Sequence, residues 1–204
     1  MNKKAIIFGI KGFNLNKREK LFFKLNKPWG IILFSRNIKN INQLKNLIND
    51  IKKIFNDRHF PILIDAEGGK VSRINKILDI SIFSQDYFST LYRKDKKLFL
   101  HYYNIYINAV SHILRTVGIN INTVPVLDIR RKNSHHVIGN RSFSNNVKKV
   151  SLLGNICINL YKKNKISTII KHIPGHGLAK CDSHYKTPII NAKKRELIKK
   201  DFVP

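Results

Sequence analysis

Short apolar runs alternate with longer stretches of helical periodicity along this chain, and this alternation constrains its fold more than any other feature. Unbroken apolar runs are typical of parallel strands that are buried on both faces. The predicted strands are residues 5–10, 30–34, 61–65, 119–126 and 167–170. Between them, apolar residues recur three and four positions apart, which predicts helices at 41–55, 97–117, 147–161 and 192–201. Ser144 or Asn145 is expected to cap the third of these helices. The order of elements predicts βαβ units and a parallel sheet.

Two architectures satisfy this order, an open doubly wound sheet and a (β/α)8 barrel. A Gly-x-Gly-x-x-Gly fingerprint after the first strand would favour the open sheet, and the sequence has none there. Barrels build their active sites from polar residues at the carboxyl ends of successive strands. Such residues follow nearly every predicted strand: Arg36 and Asn37, Asp65, Asp128, and Lys171 with His172. We therefore predict an α/β fold, a single (β/α)8 barrel domain over residues 1–204 in which about the first five βα units are visible.

The charge balance of the chain is extreme, with 39 Lys and Arg against 12 Asp and Glu and a net charge of +27. Such a balance is typical of proteins that bind a polyanion such as nucleic acid. The basic residues are scattered, however, whereas a nucleic-acid-binding arm concentrates them in a block. Lys, Asn and Ile are abundant throughout, as expected from an A+T-rich coding sequence. We favour this second explanation, which implies no specific nucleic-acid partner.

Cysteine content and the length of the apolar runs bear on the compartment. Cys157 and Cys181 are the two cysteines, and they lack the spacing of a metal site, which fits a reducing cytoplasm. The apolar run at 5–10 follows two lysines but is too short for a signal peptide. A membrane-spanning helix needs about 20 apolar residues, and the sequence has no such stretch. We predict a cytoplasmic protein with no membrane partner.

The densest group of reactive residue types is a segment that follows the fifth predicted strand and reads K-H-I-P-G-H-G-L-A-K-C-D-S-H. Its glycines and proline predict a loop. Asp182 and His184 are two positions apart, so in an extended segment their side chains point to the same side. A carboxylate beside an imidazole can orient its tautomer and produce a general acid/base. One alternative is a solvated loop. Another is a zinc site made of His172, His176, Asp182 and His184, although the spacing matches no standard zinc pattern.

Two other loops place charged residues after predicted strands. Asp65 ends the third strand and is followed by Gly68 and Gly69, which let the backbone approach a ligand closely. A carboxylate at that position can accept hydrogen bonds from a pair of sugar hydroxyls, and Arg73 adds a donor from the same loop. The alternative for this segment is an ordinary turn. Arg141 lies in a loop after the fourth strand, where an isolated arginine is usually solvated.

These segments together resemble the bacterial glycoside hydrolase family 3 β-N-acetylhexosaminidases of peptidoglycan recycling. The resemblance rests on five stretches in the family's order: 30–37 (G-I-I-L-F-S-R-N), 65–73, 124–128 (V-P-V-L-D), 138–142 and 171–184. The last is the most specific, because it joins K-H-x-P-G-H-G to D-S-H. The family's fold is a TIM barrel, so the resemblance implies the same architecture as the pattern of strands and helices.

The resemblance also implies a role for each matching residue. The residues expected to hold the N-acetylglucosamine unit are Asp65, Arg73, Arg141, Lys171 and His172. His184 matches the histidine acid/base, and Asp182 matches its partner in the dyad. The implied reaction is hydrolysis of terminal β-linked N-acetylglucosamine from muropeptides, with retention through a covalent glycosyl-enzyme intermediate. No cofactor and no metal is implied.

The chain departs from the family at its end. The nucleophile of the family is an aspartate on a strand that follows the D-S-H loop, whereas this sequence ends about twenty residues after His184. We therefore expect a truncated barrel with impaired hydrolysis. The first and fifth strands would form open edges, through which the chain could self-associate or pair with a complementing fragment. A sugar-binding protein that does not hydrolyse its ligand is the alternative function, followed by a basic nucleic-acid-binding protein.

Overall fold

The computed structural model describes residues 3–131, 136–182 and 185–204. Its strands and helices alternate along most of the chain. In order they are β1 (Lys4–Phe8), α1 (Lys17–Asn26), β2 (Pro28–Leu33), α2 (Ile41–Phe55), β3 (Ile62–Ile64), β4 (Ala66–Gly68), β5 (Val71–Ser72), α3 (Gln85–Lys94), α4 (Lys96–Val117), β6 (Ile121–Asn122), α5 (Val147–Lys163), β7 (Ser167–Thr168) and α6 (Lys194–Lys199).

Five strands form one parallel sheet in the order β1-β2-β3-β6-β7. A further parallel bridge joins Val126 to Lys171 and prolongs the contact between the last two strands. The sheet is buried at its centre, where Ile31, Leu33 and Ile64 are inaccessible to solvent. The predicted α/β fold is confirmed, because the five predicted strands form a parallel sheet and are linked by helices.

The principal helices cover the sheet in the order of the strands. α4 contacts α2 on one side and α5 on the other, and α1 contacts α2. Their apolar faces join the strands in one hydrophobic core, to which α2 contributes Leu44, Leu47, Ile48 and Ile51. Burial of such an apolar face provides most of the stability of a helix in a protein. The predicted helices at 41–55 and 97–117 match α2 and α4 to within one residue.

Two helices were not predicted from the sequence. α1 begins at a capping box in which Asn16 and Glu19 exchange hydrogen bonds, and Phe23 is its one buried residue among the ten. α3 is capped by Ser84, and its buried residues include the polar Gln85 and Ser89. Neither helix therefore has the continuous apolar stripe from which periodicity is recognised.

Several predicted boundaries are wrong. α5 is capped by Asn146, whose side chain accepts a hydrogen bond from the backbone N–H of Lys149, and not by Ser144 or Asn145. The fourth predicted strand, 119–126, is reduced to Ile121–Asn122 and the bridge at Val126, since Pro125 has no N–H for the ladder. The last predicted helix, 192–201, covers only Lys194–Lys199.

Both ends of the sheet are open within the part of the chain that the structure describes. β1 pairs only with β2, and β7 pairs only with β6. At the β1 end, Ile6 and Ile7 are 41% and 39% exposed. Of the helices in the described ranges, none is both long and apolar enough to cross a membrane.

Candidate active site

The carboxyl end of β3 places Asp65 beside a short hairpin formed by β4 and β5. The hairpin turns at Gly68 and Gly69, whose φ angles are +86° and +61°. A Cβ atom on Gly68 would lie 2.1 Å from the carbonyl oxygen of Phe83, so this turn requires glycine. The chain then returns, and the backbone N–H of Arg73 donates to the Asp65 carbonyl at 2.9 Å. The hairpin thus brings the Nε atom of Arg73 to 3.6 Å from a carboxylate oxygen of Asp65.

Asp65 also receives two donors from neighbouring strands. The Nζ atom of Lys171, which follows β7, lies 2.8 Å from Oδ1, and the Thr123 hydroxyl, which follows β6, donates to the same oxygen. Burial raises the pKa of the Asp65 carboxyl, but the charge of Lys171 and the hydrogen bonds from Lys171 and Thr123 outweigh it and leave the pKa below its usual value. Asp65 is therefore held as a carboxylate.

Glu67 pairs with two cations, one of which, Lys171, also contacts Asp65. Its side chain is fully buried, and its two oxygens accept from Arg141 Nε and Nη2 at 2.8 and 2.9 Å. Lys171 Nζ lies 2.5 Å from Oε1. Burial opposes the charge on Arg141, but the hydrogen bonds and charge of Glu67 outweigh it and raise the pKa of the guanidinium. The expectation for an isolated arginine does not hold here, because the Arg141 side chain is only 10% exposed.

The backbone of Arg141 is fixed by Gln85 at the start of α3. The Gln85 amide donates to the carbonyl oxygens of Arg141 and Val126 at 2.6 and 2.8 Å, and it accepts from the Val126 N–H at 2.9 Å. The buried Gln85 side chain thus joins the start of α3 to the backbone at Val126 and at Arg141.

His172 contacts Arg141 on one side and a buried carboxylate on the other. Its Nδ1 atom lies 2.6 Å from Oδ2 of Asp128, and its Nε2 atom lies 3.5 Å from Nη2 of Arg141. The second oxygen of Asp128 accepts from the backbone N–H of His176 at 2.5 Å. The Asp128 side chain is fully buried, whereas His172 is 34% exposed.

The structure therefore brings together all five predicted sugar-binding residues, and it adds two that were not assigned a role. We call the following set the polar cluster: Asp65, Glu67, Arg73, Asp128, Arg141, Lys171 and His172. Glu67 lies two residues after Asp65, and Asp128 is the polar residue that follows the fourth predicted strand, and these positions were the available signals. Thr123 gave none, because it falls inside the fourth predicted strand, where threonine is common.

The predicted dyad lies partly outside the described residues. Asp182 is in the loop between β7 and α6, where its carbonyl oxygen accepts from the N–H groups of Tyr185 and Lys186, both at 3.1 Å. His184 falls outside the described residues, so the geometry of the dyad stays a prediction. No group of three or more metal-ligating side chains occurs among the residues described.

The polar cluster suits an uncharged ligand with many hydroxyl groups. Its three carboxylates, Asp65, Glu67 and Asp128, are matched by three cations, Arg73, Arg141 and Lys171. The paired charges leave both donors and acceptors, and hydrogen bonds to charged groups are stronger than those between neutral groups. Such a set offers both donors and acceptors to hydroxyl groups and presents no excess charge to an anion or a cation.

Comparison with known proteins decides the family. The sequence model described as Glycosyl hydrolase family 3 N terminal domain matches residues 6–204. The chain belongs to glycosyl hydrolase family 3. The family inferred from the motifs is thereby confirmed, and so is the barrel-type fold that it implied.

Family 3 relatives match the chain over nearly its whole length. The β-hexosaminidase of Psychromonas ingrahamii is 30% identical to it over 98% of this chain, and that of Haemophilus influenzae is 28% identical over 98%. The crystal structure of NagZ from Neisseria gonorrhoeae in complex with N-trifluoroacetyl-D-glucosamine superposes with a TM-score of 0.86 at 29% identity, covering 98% of this chain. The chain spans 58%, 55% and 58% of these three proteins, so it corresponds to little more than half of each.

Proposed function

We propose that this chain carries the sugar-binding part of a β-N-acetylhexosaminidase site, which acts on terminal β-linked N-acetylglucosamine in peptidoglycan fragments. The observation that carries the proposal is the convergence of Asp65, which follows β3, with Arg73 from the adjoining hairpin and Lys171, which follows β7. The β-hexosaminidase relatives and the N-acylglucosamine analogue bound to the gonococcal NagZ support it.

In this proposal the polar cluster holds the sugar by matched hydrogen bonds. Asp65 accepts from two adjacent hydroxyls, for which its ionised state is suited because its pKa is lowered. Arg73, Arg141 and Lys171 donate to ring substituents, and His172 contributes from the rim. Glu67 binds no sugar itself, since it is fully buried, and it holds Arg141 and Lys171 in place.

The chemistry would be a two-step displacement with retention. His184, oriented by Asp182, protonates the glycosidic oxygen as a carboxylate attacks the anomeric carbon, so that the leaving alcohol departs and a glycosyl ester forms. His184 then removes a proton from water, which attacks the same carbon and releases the sugar and the carboxylate. The resemblance predicts that carboxylate on a strand later than β7, and we assign no described residue to it.

A sugar-binding function without hydrolysis is the second candidate. One observation favours it: among the residues that the structure describes, the contacts within the polar cluster join residues between Asp65 and His176. In this candidate, recognition rests on that stretch, whereas hydrolysis also needs Asp182 and His184.

A paired experiment tests both candidates. Binding of N-acetylglucosamine is measured by saturation-transfer NMR for the wild-type chain, Asp65→Asn and the control Asp50→Asn, whose carboxylate is exposed on α2. We expect binding to be lost only in Asp65→Asn. Hydrolysis of nitrophenyl β-N-acetylglucosaminide, followed by the release of nitrophenol, is then compared between the wild-type chain and His184→Ala. Turnover by the wild type that disappears in His184→Ala supports hydrolysis, and binding without turnover supports the second candidate. Equal sugar binding by the wild type, Asp65→Asn and Asp50→Asn would refute both candidates.

The open edges of the sheet are candidate surfaces for association with another chain or segment. β1 and β7 each offer an unpaired edge within the described residues, and such edges readily pair with further strands. We propose that these edges associate with a second copy of the chain or with a complementing segment. Sedimentation velocity over a hundredfold range of concentration checks self-association, and a purely monomeric protein throughout would exclude it.

A further inference from the structure

Asp128 links the sugar-facing histidine to the loop that follows it. Its carboxylate is fully buried, and both oxygens are engaged. Oδ2 lies 2.6 Å from Nδ1 of His172, and Oδ1 accepts from the backbone N–H of His176 at 2.5 Å. A buried carboxylate with two short contacts fixes the groups on either side of it.

The partners of His172 all select the same tautomer. An ionised carboxylate can only accept, so Nδ1 must carry a proton toward Asp128. A guanidinium can only donate, so Nε2, at 3.5 Å from Arg141 Nη2, must present its lone pair. The two neighbours on opposite sides of the ring thus agree.

We infer that Asp128 is a positioning residue that holds His172 as the Nδ1–H tautomer and so makes its Nε2 atom a hydrogen-bond acceptor in the polar cluster. The consequence for sugar recognition, which rests on the proposed function, is a second acceptor beside Asp65. Arg73, Arg141 and Lys171 can only donate, whereas every hydroxyl of a sugar has a proton to give. A sugar hydroxyl can displace the long 3.5 Å contact with Arg141 Nη2 and donate its proton to the lone pair of His172 Nε2.

The substitution Asp128→Asn should reverse the tautomer. The amide oxygen must face the His176 N–H, because a backbone N–H cannot become an acceptor. The amide NH2 then faces Nδ1 of His172, which can accept only if the ring proton moves to Nε2. The proton on Nε2 would then face a guanidinium N–H of Arg141, which is also a donor. His172 would no longer offer an acceptor in the polar cluster.

Nitrogen-15 NMR of the histidine side chains tests this inference on the full chain without sugar. The His172 signals are assigned by their absence in His172→Gln. We expect a protonated Nδ1 and a bare Nε2 in the wild-type protein and the opposite pattern in Asp128→Asn. The control Asp86→Asn, whose carboxylate is paired with Arg130, should keep the wild-type pattern.

Three results would overturn the inference: a protonated Nε2 in the wild-type chain, two protonated nitrogens at neutral pH, or an unchanged tautomer in Asp128→Asn. If Asp128→Asn does not fold, the wild-type spectrum still decides, because it reports the tautomer directly. Where the wild type binds N-acetylglucosamine, Asp128→Asn should bind roughly tenfold more weakly. A wild type with the expected tautomer but no sugar affinity would refute the proposed function and leave the positioning role of Asp128 intact.

Discussion

At the scale of single residues, the fully buried Glu67 carboxylate neutralises two side chains from distant parts of the chain, Arg141 and Lys171. An ion pair removed from water gains little net stability, because desolvation of both charges offsets their attraction. Removal of Glu67 is different, because Arg141 would stay buried without the carboxylate that pairs with it, while Lys171 would keep Asp65. Glu67 therefore matters mainly because its loss would leave the buried Arg141 guanidinium without its carboxylate partner.

The substitution Glu67→Gln should destabilise the protein strongly. It removes the negative charge shared by Arg141 and Lys171, and loss of one partner from a buried pair costs about 3–5 kcal/mol. Urea denaturation followed by circular dichroism measures the free energy of unfolding. The matched control is Glu196→Gln, because Glu196 is half exposed and forms a surface ion pair with Lys200, and a change below about 0.5 kcal/mol is expected there. Equal effects of the two substitutions would contradict the shared-carboxylate account.

Asp65 predicts a dependence of stability on pH. Its pKa is lower in the folded protein than in the unfolded chain, so its contribution is present above the unfolded value, about 3.9, and is lost as pH falls through the folded value. We expect Asp65→Asn to be less stable than the wild type at neutral pH and the difference to shrink below about pH 4. Thermal unfolding at a series of pH values measures it, and Asp50→Asn should follow the wild-type curve. A gap between wild type and Asp65→Asn that is constant with pH would refute this account.

At the scale of elements, the start of α5 gives a direct test of capping. Asn146 accepts from the N–H of Lys149 at 3.0 Å, whereas the Asn145 side chain accepts from the Ser144 hydroxyl at 3.5 Å. Loss of an N-cap costs about 1 kcal/mol, so Asn146→Ala should lower the free energy of unfolding by that amount. Asn145→Ala should change it by less than about 0.5 kcal/mol. Urea titration measures both losses, and a larger loss of stability in Asn145→Ala than in Asn146→Ala would instead support the cap at Asn145 that the sequence predicted.

The elements show which features a sequence can and cannot reveal. α2 and α4 were predicted to within a residue because each buries a continuous apolar stripe. α1 was missed because only Phe23 of its ten residues is buried. The hairpin of β4 and β5 was missed because its turn depends on Gly68 and Gly69, and paired glycines also occur in irregular loops.

The site was predicted less completely than the sheet. Asp65, Arg73, Arg141, Lys171 and His172 came from the family resemblance, and the structure brings them together. The roles of Glu67 and Asp128 could not be derived from local patterns, because their partners lie 74 and 44 residues away in sequence. Only the fold determines which buried carboxylate meets which cation.

At the scale of the whole molecule, the net charge of +27 predicts binding to nucleic acid without sequence preference. Scattered lysines attract phosphates through released counterions, and such affinity falls steeply with salt. We expect fluorescence anisotropy to give similar affinities for single-stranded DNAs of different sequence, each at least about tenfold weaker at 200 mM than at 50 mM salt. A persistent preference for one sequence would instead favour the nucleic-acid-binding alternative that we set aside.

Among the described residues, the contacts that assemble the polar cluster lie in the stretch from Asp65 to His176. Under the proposed function, recognition and bond cleavage are thus encoded in different lengths of the gene. Recombination or mutation downstream of that stretch can alter or abolish the reaction while the cradle for the sugar is inherited unchanged. In evolutionary terms, a lineage can keep a receptor for an amino sugar after it has lost an enzyme, or gain a new catalyst on an old receptor.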